Sequence, residues 1–179
     1  MKRNYRKYLL PFCGFALLFG GCAQNDEQKI ETLLSQDLNG YKEQDSEALD
    51  DLVTLLNAES FETYGIDSYI FVQDYLEGFD YSIDSIEVSD DTAKVQVTLT
   101  NKSMADYNEK LEAASADLNQ EESSQEEINE QIGQMVLESM SEAEVVEKEP
   151  VTLTYTKTED GWQADEQNSE ILAAALNSN

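Results

Sequence analysis

The chain has 179 residues, with 38 Asp and Glu against 11 Lys and Arg, no histidine, and a formal charge of −27. A surface that negative repels phosphate, which excludes nucleic-acid and anionic-lipid binding through the folded part. The lack of histidine excludes a histidine general base, a Ser-His or Cys-His nucleophile pair and histidine metal ligands, and two cysteines are too few for a disulfide scaffold.

In chain order, the first 22 residues hold no acid and four of the cations, Lys2, Arg3, Arg6 and Lys7. The remainder has 7 cations against 38 acids, and no arginine at all. After the basic tip comes an apolar run from Leu9 to Gly21, thirteen residues long. A spanning helix needs about 20 residues, so this pattern reads as an export signal rather than a membrane span. It ends Phe19-Gly20-Gly21-Cys22-Ala23, which resembles the lipobox of bacterial lipoproteins, with Phe19 in place of the usual Leu. Small side chains at Gly20 and Gly21 let a peptidase grip the backbone, and the Cys22 thiol is the nucleophile that takes a diacylglyceryl group. The expectation is a signal peptide over 1–21 cleaved before Cys22, a lipidated tether over 22–28 and a single domain over 29–179. The membrane is then a partner through the lipid on Cys22, and the domain sits at the extracytoplasmic face of a bacterial cell membrane. An exported fold without a disulfide favours a Gram-positive host.

Ile30, Leu33, Leu34, Leu38 and Tyr41 recur at helical spacing and predict a helix over 28–43. Ser46 is a candidate cap for a second helix with Leu49, Leu52, Val53 and Leu56 inward. A helical turn over 59–64 stops at Gly65, and Asp67 or Ser68 caps a third helix that ends at Gly78. The period then changes to two. Tyr81 and Ile83 share a face, as do Ile86 and Val88, and the step of three between them predicts a β-bulge near Asp84-Ser85. After a turn at Ser89–Thr92, Ala93, Val95, Val97 and Leu99 alternate with polar residues. Helical spacing returns from Met104 to Leu118 and from Ile128 to Met140, around a charged linker at Asn119–Ser124. Val151, Leu153 and Tyr155 mark a strand, Glu159-Asp160-Gly161 a hairpin turn, and Trp162 and Ala164 the return strand. Ser169 is the candidate cap of a last helix through Leu176. Helices segregated from antiparallel strands define an α+β fold, a curved antiparallel sheet of about four strands with helices packed on one face.

The leader, the Tyr81-to-Val88 strand, the Asp90-Asp91-Thr92-Ala93-Lys94-Val95 strand entry and the Glu159-Asp160-Gly161-Trp162 hairpin resemble small Firmicutes lipoproteins of unknown function. These are related to the cystatin-like or nuclear-transport-factor-two-like superfamily. The resemblance implies a curved sheet wrapped by helices, with a cone-shaped pocket. That superfamily hosts isomerases, dehydratases, transport adaptors and plain binding modules, so fold alone does not set activity.

Two constellations invite a functional reading. Phe61, Tyr64, Tyr69, Phe71, Tyr75, Phe79 and Tyr81 fall within 21 residues. Tyr64, Tyr69, Tyr75 and Tyr81 are the candidate ligand- or partner-binding residues, since tyrosine joins an apolar body to a polar tip. As packing, Tyr69, Phe79 and Tyr81 fit inward positions, with Tyr64 and Tyr75 the surface members. An enzyme would need an acid inside the cone with a tyrosine donor. Asp84, at the bulge, is the only acid placed to turn inward, with Tyr81 and Tyr107 as neighbours, and a solvated Asp84 at the turn is the plainer expectation. The acid runs lack the spacing of a calcium loop, so no metal site is expected, and no phosphate-cradling or cofactor motif is present. The expectation is a non-catalytic binding module for an envelope protein or small apolar ligand. The alternatives are a ligand-processing enzyme with an acid–tyrosine pair and a structural accessory of an envelope complex.

Overall fold

The computed structural model describes residues 26–116, 118 and 124–178. The leader, Cys22 and residues 119–123 of the expected linker lie outside the described residues. Helix α1, Asp26–Glu43, places Ile30, Leu34 and Leu38 against the core at 0%, 0% and 1% exposure. Burial of each is worth about 1.5–3 kcal/mol. The helix begins at Asp26, so Asp26–Gln28, expected in the tether, are helical. Asp26 anchors this start, accepting from Lys157 Nζ at 2.7 Å and from Lys29 Nζ at 3.3 Å.

Helix α2, Ser46–Leu55, is capped by Asp45 rather than Ser46, because it is the Asp45 carboxylate that accepts from Ala48 N–H at 2.9 Å. A 3-10 helix, Ala58–Tyr64, ends at Gly65 in the left-handed region, and Asp67 caps α3, Ser68–Tyr75. Strand β1, Asp80–Ser89, pairs antiparallel with β2, Thr92–Lys102. Ile83 opposes Val97 and Ser85 opposes Gln96, so Asp84 is the extra residue of a bulge, at the place the sequence period indicates.

Helix α4, Met104–Ser115, is capped by Ser103 and stops short of Leu118. Helix α5, Gln125–Glu142, starts with a capping box between Ser124 and Glu127. Strands β3, Val145–Glu147, β4, Val151–Thr158, and β5, Gly161–Ala164, complete an open antiparallel sheet in the order β1-β2-β4-β5, with β3 paired to the end of β2. The sheet therefore has five strands. Helix α6 spans Gln167–Leu176 and so starts three residues ahead of the start that a Ser169 cap implies. Ser169 is inside the helix and its hydroxyl donates back to Glu166 O at 3.0 Å.

One face of the sheet is the core. Ala93, Val95, Val97, Leu99, Leu153 and Tyr155 are at most 1% exposed, while Lys94, Gln96, Thr152 and Thr156 on the other face remain in solvent. The α+β class with helices on one face is what the alternating periods predict. Two lysines close the end of the sheet. Lys102 Nζ donates to Ser141 O, in the last turn of α5, at 2.8 Å and pairs with Glu77 at 3.3 Å. The buried Lys148 Nζ donates to Lys102 O and Ser178 O at 3.1 and 2.5 Å.

Helix α6 is fixed to β4 by a single amide. Asn168, 1% exposed, accepts from Thr154 N–H and donates to Thr154 O, each at 2.9 Å, as a neighbouring strand would. Asn168→Leu leaves Thr154 N–H without its partner, while Thr154 O keeps the hydrogen bond that Asp165 N–H donates at 2.9 Å. We expect a loss of about 1–3 kcal/mol in urea denaturation, larger than for the exposed Asn177 that follows the same helix.

Candidate functional site

The four candidate tyrosines do not gather into one site. Tyr64 is half-buried at the end of the 3-10 helix and lines an open groove of about 480 Å³ against the first two turns of α5. Asn129, Glu126 and Glu130 form the facing wall, and Asn129 Nδ2 donates to Thr63 O at 3.3 Å. Further along α5, Gly133 lies directly on the 3-10 helix: a Cβ there would sit 2.1 Å from Tyr64 O. The groove sets an aromatic residue, Tyr64, beside two acidic ones, Glu126 and Glu130.

Tyr69, expected inward, is instead 46% exposed on α3 beside Ile70 at 48%. Its hydroxyl donates to Asp50 Oδ1 of α2 at 2.5 Å. That bond, together with the charges of Asp50, Glu59 and Asp67, holds the phenol above its usual pKa. Helix α3 turns Phe71, Val72 and Tyr75 to the core, which leaves positions 69 and 70 outside. Tyr75, expected at the surface, is 1% exposed for the same reason. Burial pushes its phenol up, and the neighbouring Asn101 side chain lowers it slightly without forming a well-aligned hydrogen bond. Tyr81 is half-buried on the core face of β1 and donates to Asn39 Oδ1 of α1 at 3.0 Å.

Asp84 is exposed. It accepts from the hydroxyls of Ser82 and Thr98, at 2.9 and 2.6 Å, on the face opposite the core. Tyr81 points to the other face, and Tyr107 is buried on α4. The bulge therefore aims this acid away from both tyrosines.

The acid that does lie over the core face is Asp37, in the middle of α1. It occupies the inward stripe between Leu34 and Tyr41, and burial raises its carboxyl from the ordinary 3.8 to about 7. Its charge in turn pushes up two phenols: that of Tyr41, one helical turn on, to about 12, and that of Tyr155 on β4. Burial is the larger cause for both. Tyr155 is 1% exposed and its hydroxyl has no hydrogen-bond partner among the described residues. Sequence patterning held the signal for Asp37, since the spacing Ile30, Leu34, Asp37, Leu38, Tyr41 puts one acid among apolar positions. Asn101, fully buried, likewise continues the alternation Ala93 to Leu99. Among the described residues no three acids or cysteines gather closely enough to hold a metal ion, and no helix is long and apolar enough to cross a membrane.

Two carboxylates of α1 act on stability with opposite sign. Asp37 is raised, so its favourable contribution is full below about pH 4 and is lost as pH rises through 7. Asp26 is held down to about 2 by Lys157, aided by the Trp162 indole N–H and Lys29, so its contribution is present above pH 3.8 and lost as pH falls towards 2. The unfolding midpoint is therefore expected to fall between pH 5 and pH 8. Asp37→Asn removes most of that slope and gains about 1–2 kcal/mol at pH 8, in urea titrations at both pH values. Gly133→Ala, which in an open helix gains about 1 kcal/mol, is expected to lose about 1–3 kcal/mol here because Tyr64 must move. Thermal melts check it.

No family model matches the chain, and none of the curated proteins matches it in sequence. Among solved structures, it is similar to a Bacillus subtilis chain, ycdA, provisionally assigned as a lipoprotein. The identity is 18% and the TM-score 0.49, over 73% of this chain and 47% of that one, so the chain spans about half that protein's length.

Proposed function

We propose that this protein is a lipid-anchored extracytoplasmic lipoprotein whose α+β domain is a non-catalytic binding module. The anchoring half of this reading is supported by the basic tip, short apolar core and Gly20-Gly21-Cys22 box of the leader. Only Ala23, Gln24 and Asn25 separate Cys22 from the start of α1. Four peptide steps reach about 14 Å at full extension, so the domain would stand directly on the membrane surface. Its acidic exterior would turn away from anionic headgroups there.

The observation that carries the binding half is the pair Tyr69 and Ile70, large apolar side chains about half exposed on a helix whose other face fills the core. Tyrosine and isoleucine held on a rigid helix offer contact area to a partner at low entropic cost. Tyr64 and its groove offer a second contact. A kinship with the cystatin-like superfamily forms part of this proposal, supported by the bulged β1 and the order of helices and hairpins. A ligand-processing enzyme is favoured by one observation, the raised Asp37 carboxyl coupled to Tyr155. It requires a substrate path to that pair.

In the source cell, Cys22→Ala should abolish radiolabelled fatty-acid incorporation and move the protein out of the membrane fraction. Retention of label would sink the anchoring assignment. A photo-crosslinking residue at position 69 or 70 should give one discrete adduct in intact cells, with position 94, on the sheet's exposed face, as the control. Equal labelling from all three positions would count against a specific surface on α3.

A further inference from the structure

Helix α1 holds a conflict that the binding reading does not use. Three of its side chains, Ile30, Leu34 and Leu38, are as buried as any in the molecule, yet Asp37 stands in the same stripe. Among the described residues no hydrogen bond or ion pair compensates that carboxylate. The surroundings add nothing to hold a negative charge. On α1 itself Tyr41 is next in the stripe. From β4 comes Tyr155, buried and with an unpartnered hydroxyl. From β1 come Tyr81, already bonded to Asn39, and Asp80, already paired with Lys42 at 2.7 Å. From the α2 side come Asp45 and Asp51, whose charges bear on Tyr41 together with that of Asp37, while Glu47 and Asp50 crowd Asp51 in turn. Among the described residues the cations paired at this helix are engaged at its ends, Lys29 and Lys157 on Asp26 and Lys42 on Asp80.

We propose that α1 is a proton-controlled latch on the sheet, seated while Asp37 is protonated and loosened when Asp37 is charged. A neutral carboxyl is tolerated in a half-buried apolar stripe, and it can offer its proton to a phenol oxygen. A carboxylate there draws no compensating charge and faces further acids, so its escape to water is coupled to lifting the middle of the helix. The chain has no histidine, so the usual near-neutral proton switch is absent. The salt bridges of Asp26 and Lys42 hold the two ends while the middle opens. The opened state uncovers the part of the sheet that α1 covers when closed, β1 first, so the latch would gate access to the interior. It stands independently of what Tyr69 and Ile70 contact.

The test is hydrogen–deuterium exchange on the full chain in mild detergent from pH 5 to pH 8, corrected for the intrinsic pH dependence of exchange. Protection of amides 30–41 should fall by about tenfold or more across that range, while α5 amides around Val136–Met140 keep theirs. Asp37→Asn should hold α1 protection level across the range. Asp37→Ser is the second variant if the first folds poorly. Level α1 protection in the wild type overturns the latch. So does a fall that persists in the variants, which would assign the titration elsewhere. A fall shared equally by α5 and β2 would mean global unfolding and overturns it too.

Discussion

Everything in this fold depends on covering one face of a five-stranded sheet. Strands β2 and β4 present an apolar surface from Ala93 to Leu99 and from Val151 to Tyr155 on one side, and threonine, glutamine and lysine on the other. A sheet of that kind is stable only against a partner layer. Helix α1 is the main part of that layer over β1, and its three fully buried residues close the core. The other helices take positions around it: α3 and α5 pack on the 3-10 helix, and α6 is joined to β4 through Asn168. Because the layer is made of separate short helices rather than one long one, each seat depends on a few contacts.

The charge balance shapes how those seats are made. Seven lysines and no arginine serve residues 26–178. Five are in ion pairs with Asp or Glu, and Lys148 is buried among carbonyls. Lys94, on the exposed face of β2, is in none of these pairs. Cations are thus placed at joints, between α1 and the β4–β5 hairpin, between α1 and β1, and between β2 and α5. Most acids have no such role and simply face water. Exposed pairs contribute little individually, so their chief effect is on which joints hold at which pH.

The element order and the sheet face were legible because they rest on periodicity. Leu34 and Leu38 recur as a helix repeats and Val95 and Val97 as a strand does, and both are buried as that repetition demands. The bulge was legible from a single broken step between Ile83 and Ile86. Caps were less so, since Asp45 and Ser46 are adjacent and both chemically able, and only geometry decides which side chain reaches Ala48 N–H. Strand β3 was not legible at all. It has three residues, and what makes Val145–Glu147 a strand is the end of β2 lying beside it. Which tyrosine of α3 faces out was not legible, because an eight-residue helix can be rotated by about a third of a turn without offending its composition. That rotation exchanges Tyr69 for Tyr75 as the exposed member. Asp37 went unread because an isolated acid in a charged helix looks solvated until the sheet is set beneath it.

The bulge at Asp84 has a consequence beyond its own pair of strands. Strand β1 is an edge of the sheet and is ten residues long, a length at which an exposed edge invites pairing with another chain. The extra residue interrupts the run of regularly spaced backbone groups near its middle, and an acidic side chain stands at the break. For proteins tethered to a membrane, confinement to two dimensions raises the local density of identical neighbours far above that in bulk solution. An edge that zips readily would then drive clustering into a continuous sheet. If the domain is anchored as proposed, a kinked, acidic edge would keep such neighbours as separate units, so that crowding at the surface would not become polymerisation.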